Sequence, residues 1–282
     1  ILCIDDGSTD DSLHILEQFA KKDIRIKVFQ QRNQYAGNAR NIGIKKAEGK
    51  YLCFLDSDDF FAPDLLEKMY DAAEQNQSEI VICEAQYYDD KNGEIIERNI
   101  PLEKQFLPSN INEFNRNDIA EGLFQITNGW AWDKLFLANF VYKEKLQFAA
   151  SRTANDGYFV YMALALADRI SKINEILVTQ RIRNSRSLVN TRIQSWKCGF
   201  DMVYDIKTGL LKRSIYEQLE KTFLNWALKY IIWSFESMEY WEGKEQIYND
   251  VHEAENILSI LKHSIKYYYY PTEYAFYEQM MH

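Results

Sequence analysis

The 282-residue chain predicts an α/β fold, a mostly parallel sheet flanked by helices, with an α-helical extension at its C-terminal end. Three observations carry that prediction. Short apolar runs of strand length, at 1–4, 25–29, 51–55 and 79–85, alternate with stretches of helical spacing. Units of about 25 residues built this way are strands joined by helical crossovers, in a sheet covered on both faces. Acidic residues gather where two of those runs end: Asp5 and Asp6 after the first, Asp56, Asp58 and Asp59 after the third. Ligands of parallel sheets bind beyond the carboxyl ends of the strands, so these carboxylates mark one rim. From residue 196 the pattern is helical throughout, which divides the chain into 1–195, carrying the candidate site, and a helical 196–282.

The first strand runs into Asp5-Asp6-Gly7-Ser8-Thr9-Asp10. Gly7 permits a tight turn, and Ser8, Thr9 and Asp10 are all capable N-caps for a helix carrying Leu13, Leu16 and Ala20. After the second strand, 37–47 reads as a helix, with Ala39, Ile42, Gly43 and Ala47 available for close packing and Gly49 as its stop. The run at 51–55 is too short for a helix and is bounded by Gly49 and acids, so it reads as a buried strand. The three carboxylates behind it repel one another unless a cation or strong donors sit among them. Hard divalent ions that also bind phosphates take one or two carboxylates of this kind. Pro63 and Asp64 open a helix with Leu65, Leu66, Met69 and Ala73 on one face.

Further along, Asn92-Gly93 between Tyr87-Tyr88 and Ile95-Ile96 signals a hairpin. Residues 99–118 are polar and predict a loop; 118–126 and 133–145 predict short helices. Between those helices lies Asn128-Gly129-Trp130-Ala131-Trp132-Asp133-Lys134. Its tryptophans suit either core packing or stacking on a sugar, and Lys134 could pair with a substrate. Asp156 stands before an apolar helix at 157–167 and could be its cap. Alternation at 170–182 predicts a strand leading to Arg181, Arg183, Arg186 and Arg192, either a solvated basic turn or a clamp on a diphosphate. Leu219, Phe223, Trp226, Ala227, Tyr230 and Ile231 keep helical spacing, as do Ile257, Leu258, Leu261 and Ile265 before an aromatic knot at 267–270. These are read as core, with a membrane surface, a partner subunit or a lipid-linked acceptor as the alternative contact.

A formal charge of −9, from 33 basic and 42 acidic residues, argues against a nucleic-acid binder, whose phosphate contacts need a basic face. Cys3, Cys53, Cys83 and Cys198 lack metal-site spacing and read as free thiols of a reducing compartment; His14, His252, His263 and His282 have no ligand spacing either. No run approaches the roughly 18 consecutive apolar residues of a membrane span, and no signal peptide is visible, so the expectation is a cytoplasmic protein, at most touching the inner face of the membrane. No Gly-x-Gly-x-x-Gly follows the first strand, which disfavours a dinucleotide-dependent oxidoreductase. Oligomeric state is not legible.

Four motifs in series, Asp5-Asp6-Gly7-Ser8, Ala39-Arg40-Asn41-x-Gly43, Phe54-Leu55-Asp56-Ser57-Asp58-Asp59 and Asn155-Asp156, resemble those of the family 2 glycosyltransferases, inverting enzymes of the GT-A fold, over about residues 1–190. The resemblance implies a nucleotide-sugar donor, most simply UDP-linked, and a hydroxyl acceptor on a glycan or lipid-linked sugar, in the synthesis of a bacterial-type surface polysaccharide. It implies that Asp6 accepts from the base N–H with Asp5 shaping that pocket, that Arg40 belongs to the nucleotide site, that Asp56 lies near the ribose, and that Asp58 binds Mn2+ or Mg2+ on the diphosphate. Asp156 takes the place of the general base, with Trp132, Lys134, Arg181 and Arg183 as further contacts to acceptor or diphosphate. Two departures stand out. Asn155 replaces the family's Glu, and the chain opens at Ile1 inside the strand of the first motif, whereas the family has a strand and helix ahead of it. A shortened or rearranged sheet is therefore expected, and a non-catalytic nucleotide-sugar-binding subunit of the same fold is the competing reading.

Overall fold

A computed structural model describes residues 1–100, 104–107, 113–182, 194–238 and 241–282. Among them the strands are β1 (Leu2–Asp5), β2 (Lys27–Gln30), β3 (Tyr51–Cys53), β4 (Phe60–Phe61), β5 (Ile80–Asp89), β6 (Glu94–Ile100), β7 (Glu113–Phe114), β8 (Lys134–Leu137) and β9 (Ile170–Ile182). The helices are α1 (Ser12–Lys22), α2 (Tyr35–Lys46), α3 (Leu65–Asn76), α4 (Ala138–Glu144), α5 (Gly157–Leu166), α6 (Lys197–Lys212), α7 (Tyr216–Glu236), α8 (Trp241–Leu258) and α9 (Pro271–Met281). The alternation of strand and helix through β5, the α3 face formed by Leu65, Met69 and Ala73, and the β5–β6 hairpin at Asn92-Gly93 all appear as predicted. Leu66, placed on the same α3 face, is exposed instead.

Strand direction differs from the expectation of a mostly parallel sheet. β1 and β2 pair in parallel as a two-stranded sheet of their own, while the larger sheet has seven strands along the path β3-β8-β5-β9-β4, with β6 on β5 and β7 on β9. In that sheet the β5–β9 pairing is parallel and the β3–β8, β5–β8, β4–β9, β5–β6 and β7–β9 pairings are antiparallel. The reason lies in β8. It returns late in the sequence and inserts between β3 and β5 running opposite to both, an arrangement that the spacing of the first 85 residues does not reveal.

One predicted helix is shortened and another is absent. The Lys134–Leu137 part of 133–145 forms β8, whose first three residues are buried between two neighbouring strands, so the helix there starts at Ala138. The segment 118–126 forms successive turns with three-residue bonds (Gly122 N–H to Ile119 O, Gln125 N–H to Gly122 O), pinned by the Thr222 hydroxyl accepting from Phe124 N–H and by the Gln125 amide donating to Thr222 O. The apolar spacing past Ile257 ends as helix at Leu258 and continues as two single 3-10 turns.

Helix α5 is buried along nearly its whole length, which its apolar sequence Gly-Tyr-Phe-Val-Tyr-Met-Ala-Leu-Ala-Leu anticipates for a helix hydrophobic on all sides. The helices of 196–282 cover it. A Cβ on Gly157 would stand 2.0 Å from Met202 Sδ, and Tyr161 lies between Phe124 (ring centroids 5.0 Å, stacked) and Trp226 (4.6 Å). One apolar cluster thus runs from Ile44 to Met280 through both segments of the chain. Its innermost part is a knot of Phe54, Phe136, Phe148 and Phe159, with Phe148 stacked on Phe159 at 4.1 Å. Phe54 precedes Asp56 by two residues and Phe159 follows Asp156 by three, so the knot is the apolar floor beneath both acids.

Candidate active site

The first acid pair sits where β1 meets its turn. Asp5 is buried, and both its carboxylate oxygens accept from Ser8 N–H (3.3 and 3.4 Å), which closes the turn that Gly7 makes at φ +78°. A side chain on Gly7 would press on Asn33 N at 2.9 Å. The N-cap of α1 is Asp11 rather than Ser8, Thr9 or Asp10, and its side chain makes no capping bond; Asp10, one position earlier, accepts from Ser12 N–H at 3.0 Å. Asp6 Oδ1 accepts from the Gln31 amide (2.5 Å) and from Gln34 N–H (2.9 Å), immediately before α2. Asp5 therefore shapes the turn, and Asp6 joins it to the N-terminal end of α2.

Helix α2 carries the centre of the site on one side. Gly37 approaches the 149–155 segment so closely that an added Cβ would lie 1.9 Å from Ala149 O. Asn41 clasps Phe148 twice, its amide donating to Phe148 O and accepting from Phe148 N–H, both at 2.9 Å. Arg40, one position away and 14% exposed, extends between the two loops: it donates to Asp56 Oδ1 at 2.5 Å and to Asn155 Oδ1 at 2.7 Å, with its guanidinium 5.3 Å above the Phe148 ring. Ala154, held at φ +54°, and the Ala149 N–H bond to Asn155 O (2.9 Å) fix the loop that presents Asn155. Charge-assisted bonds of this length are the strong kind, and Arg40 thereby ties the Asp-x-Asp loop to the threshold of α5.

Asp156 occupies the N-cap position of α5 but makes no capping bond with its side chain, which leaves the carboxyl to other work. Burial pushes it up to about 6; the Arg40 cation opposes the rise, Asp56 adds to it, and Lys134 also opposes it. In the other loop Asp59 is pushed up to about 7, by burial first, against the Arg181 N–H that donates to it at 2.9 Å, with repulsion from Asp56 and Asp58 adding. Asp58 itself is exposed. A divalent ion relieves this kind of crowding while taking the rest of its ligands from phosphate and water, so the donor set fits a hard cation held through Asp58. Among the described residues no three His, Cys, Asp or Glu side chains converge as a complete protein-supplied metal cage.

The structure therefore unites Arg40, Asp56 and Asp156, sets Asp58 on the exposed side of the same loop, and places Asp5 and Asp6 at the far end of α2. Two proposed contacts are corrected. Lys134 is fully buried, its ammonium donating to Asp133 Oδ1 (2.7 Å), Trp130 O (2.8 Å), Thr127 Oγ1 (3.1 Å) and Asn128 O (3.1 Å), so it has no reach to a ligand. Trp132 is 2% exposed and lies stacked beneath Trp130. Arg181 is engaged by Asp90 (2.6 Å) and lies over Phe60 at the surface, and Arg183, Arg186 and Arg192 lie outside the described residues. None of the four histidines joins the site; His263, for instance, stacks on Tyr267. The clasp of Asn41 on Phe148 and the bond of Arg40 to Asn155 went unforeseen, although Gly37, Arg40 and Asn41 at i, i+3 and i+4 were the signal that this face meets something closely.

The mixed sheet flanked by helices is that of the GT-A fold. Among solved structures, TarS of S. aureus is similar: residues 1–349 in complex with UDP-GlcNAc align with TM-score 0.75 at 18% identity, over 99% of this chain and 78% of that one. The description Glycosyl transferase family 2 matches residues 1–132, a little under half of the chain. EpsH of Bacillus subtilis strain 168, provisionally named a glycosyltransferase, is 31% identical over 218 residues, 76% of this chain and 61% of its own length. Glycosyltransferase GlyA of Streptococcus pneumoniae serotype 4 is 28% identical over 199 residues, 70% of this chain and 28% of its own length. The chain thus spans less than two thirds of these relatives. No described helix is long and apolar enough to cross a membrane.

Proposed function

We propose that the chain transfers a sugar from a nucleotide-sugar donor, UDP-linked, to a hydroxyl of a glycan or lipid-linked acceptor, with inversion at the anomeric carbon, in the synthesis of a surface polysaccharide. The observation that carries this reading is the Arg40 bridge, which holds the Asp-x-Asp loop through Asp56 and the threshold of Asp156 through Asn155 in one rigid frame. Likeness of the fold to an enzyme solved with UDP-GlcNAc supports the donor class.

In this reading Asp6 accepts from the base N–H with the carboxylate oxygen not used by Gln31 and Gln34, and Asp56 meets the ribose. Mn2+ or Mg2+ at Asp58, when bound, supplies positive charge to the departing diphosphate. Asp156 receives the proton of the acceptor hydroxyl as that oxygen bonds to the anomeric carbon from the face opposite the breaking bond to the diphosphate. A carboxyl pushed up to about 6 suits that role, because a base works best with an affinity for protons near the operating pH. The reaction belongs at the cytoplasmic face of the membrane, where a nucleotide-sugar pool would meet a lipid-linked acceptor.

The test is UDP release from UDP-glucose, UDP-galactose and UDP-N-acetylglucosamine with manganese, alongside thermal melts of the native chain and Asp58→Ala with UDP. Turnover of one donor, and stabilisation by UDP that needs both manganese and Asp58, is the expected result. Metal-dependent UDP binding without turnover of any donor, in a chain extended to the length of its relatives, would replace this reading with the non-catalytic nucleotide-sugar binder.

A further inference from the structure

The transfer reading leaves Asn128-Gly129-Trp130-Ala131-Trp132 without a role, and the structure separates its two rings. Trp132 is interior, while Trp130 is half-buried and Asn128 is exposed. Trp130 lies flat on Trp132 (centroids 4.9 Å, 18° between planes) and meets the Tyr87 ring edge-on at 6.5 Å. Its backbone is held as firmly as its ring, because the buried Lys134 ammonium binds Trp130 O, Asn128 O and the Thr127 hydroxyl together with Asp133. A fully interior ion pair is an expensive way to fix an irregular turn. The turn adjoins the reacting centre: a Cβ on Gly129 would lie 3.3 Å from Gly157 Cα and 2.8 Å from the Tyr161 ring, and Gly157 directly follows Asp156.

We propose that Trp130 is a stacking platform for a sugar ring of the acceptor, with the Asn128 amide at its rim to meet hydroxyls. A pyranose has one apolar face of C–H bonds and a polar edge. A rigid indole beside an exposed amide matches both, and presetting the ring through Trp132 and Tyr87 removes the ordering cost on binding. The inference rests on the transfer reading of the neighbouring acids, since it is the nearness of Asp156 that makes the bound sugar an acceptor.

The experiment uses protein carrying 5-fluorotryptophan in place of its six tryptophans. The Trp130 and Trp132 fluorine signals are assigned with Trp130→Phe and Trp132→Phe. The methyl β-glycosides of glucose, galactose and N-acetylglucosamine are then titrated one at a time, with UDP and manganese present. The Trp130 signal is expected to move with at least one glycoside and the Trp132 signal to move less. Trp130→Ala should weaken that glycoside about tenfold, the size of one aromatic contact, and Trp130→Phe less. A Trp130 signal unmoved by every glycoside overturns the proposal, as does a folded Trp130→Ala protein that binds like the native one. Should Trp130→Ala fail to fold, the fluorine signals of the native protein decide alone. UDP release followed in parallel samples that hold UDP-glucose, UDP-galactose or UDP-N-acetylglucosamine in place of UDP keeps the two readings apart: a moving Trp130 signal without turnover removes the transfer reading, and glycoside-stimulated turnover with Trp130 static removes the platform.

Discussion

Replacing Arg40 by Met tests the centre of the site. The Met side chain keeps an apolar stem against Phe148 and removes both charge-assisted bonds, to Asp56 at 2.5 Å and to Asn155 at 2.7 Å. Asn155 is buried, so its amide oxygen loses its partner where water does not replace it easily, at about 1–3 kcal/mol. The Asp56 side chain is 36% exposed and can be rehydrated in part, which holds the total below the roughly 3–5 kcal/mol of breaking a fully buried pair. A loss of about 2–3 kcal/mol follows, or a Tm lower by roughly 4–12 °C for a domain of this size. The same substitution acts on chemistry. Arg40 is the larger of the two cationic influences that hold Asp156 down, ahead of Lys134, and Asp56, freed of its partner, still pushes it up. The base is active when deprotonated, so UDP release by the native protein should rise with pH through about 6 and level off above it. In Arg40→Met that rise should move to higher pH. Melting curves and a pH profile of release, both on the same preparation, read the two effects. A profile that stays in place or moves to lower pH, in a protein destabilised as predicted, would refute the electrostatic link between Arg40 and Asp156.

Asp156→Asn should lower donor turnover by about 10²–10⁴ while UDP still raises the melting temperature as in the native chain; turnover within a few-fold of native would remove Asp156 from the reaction. Lys134→Met leaves Asp133 charged or protonated in the interior without its partner and should cost about 3–5 kcal/mol, seen as a large fall in the denaturation midpoint, whereas Lys134→Met with Asp133→Leu should recover part of it. If the double variant is no better than the single, the pair is not the origin of the loss. Gly37→Ala drives a methyl into Ala149 O, which is backbone and cannot swing aside, so a cost of about 1–3 kcal/mol and a looser Arg40 frame are expected, read as a fall in turnover that exceeds any loss of UDP binding.

Much of this was legible in the sequence because it is local. The strand and helix alternation through β5, the turn at Gly7, the hairpin at Asn92-Gly93 and the all-apolar α5 each follow from neighbouring residues. What the sequence hid depends on distant partners. Arg40 and Asn155 are 115 residues apart, and nothing in Ala-Arg-Asn announces that the guanidinium spans two loops. Lys134 read as a possible partner of a substrate because lysines seldom lie inside; four oxygens, three of them from the turn before it, reverse that preference. β8 read as helix because four residues carry too little periodicity to oppose the helical stretch that follows.

The β1–β2 pair stands apart from the seven-stranded sheet, and α1 beside it buries none of its side chains fully. Resistance of backbone amides to solvent exchange rises with buried apolar contact, so this small ribbon should open at far lower free energy than the β5–β9 centre. Asp6 stands at the end of that ribbon, and α2 begins where its carboxylate is anchored. A nucleobase gripped by Asp6 would therefore hold this ribbon closed, so that part of its binding energy would go into stilling a breathing motion and donor recognition would show itself as slowed amide exchange in residues 2–30.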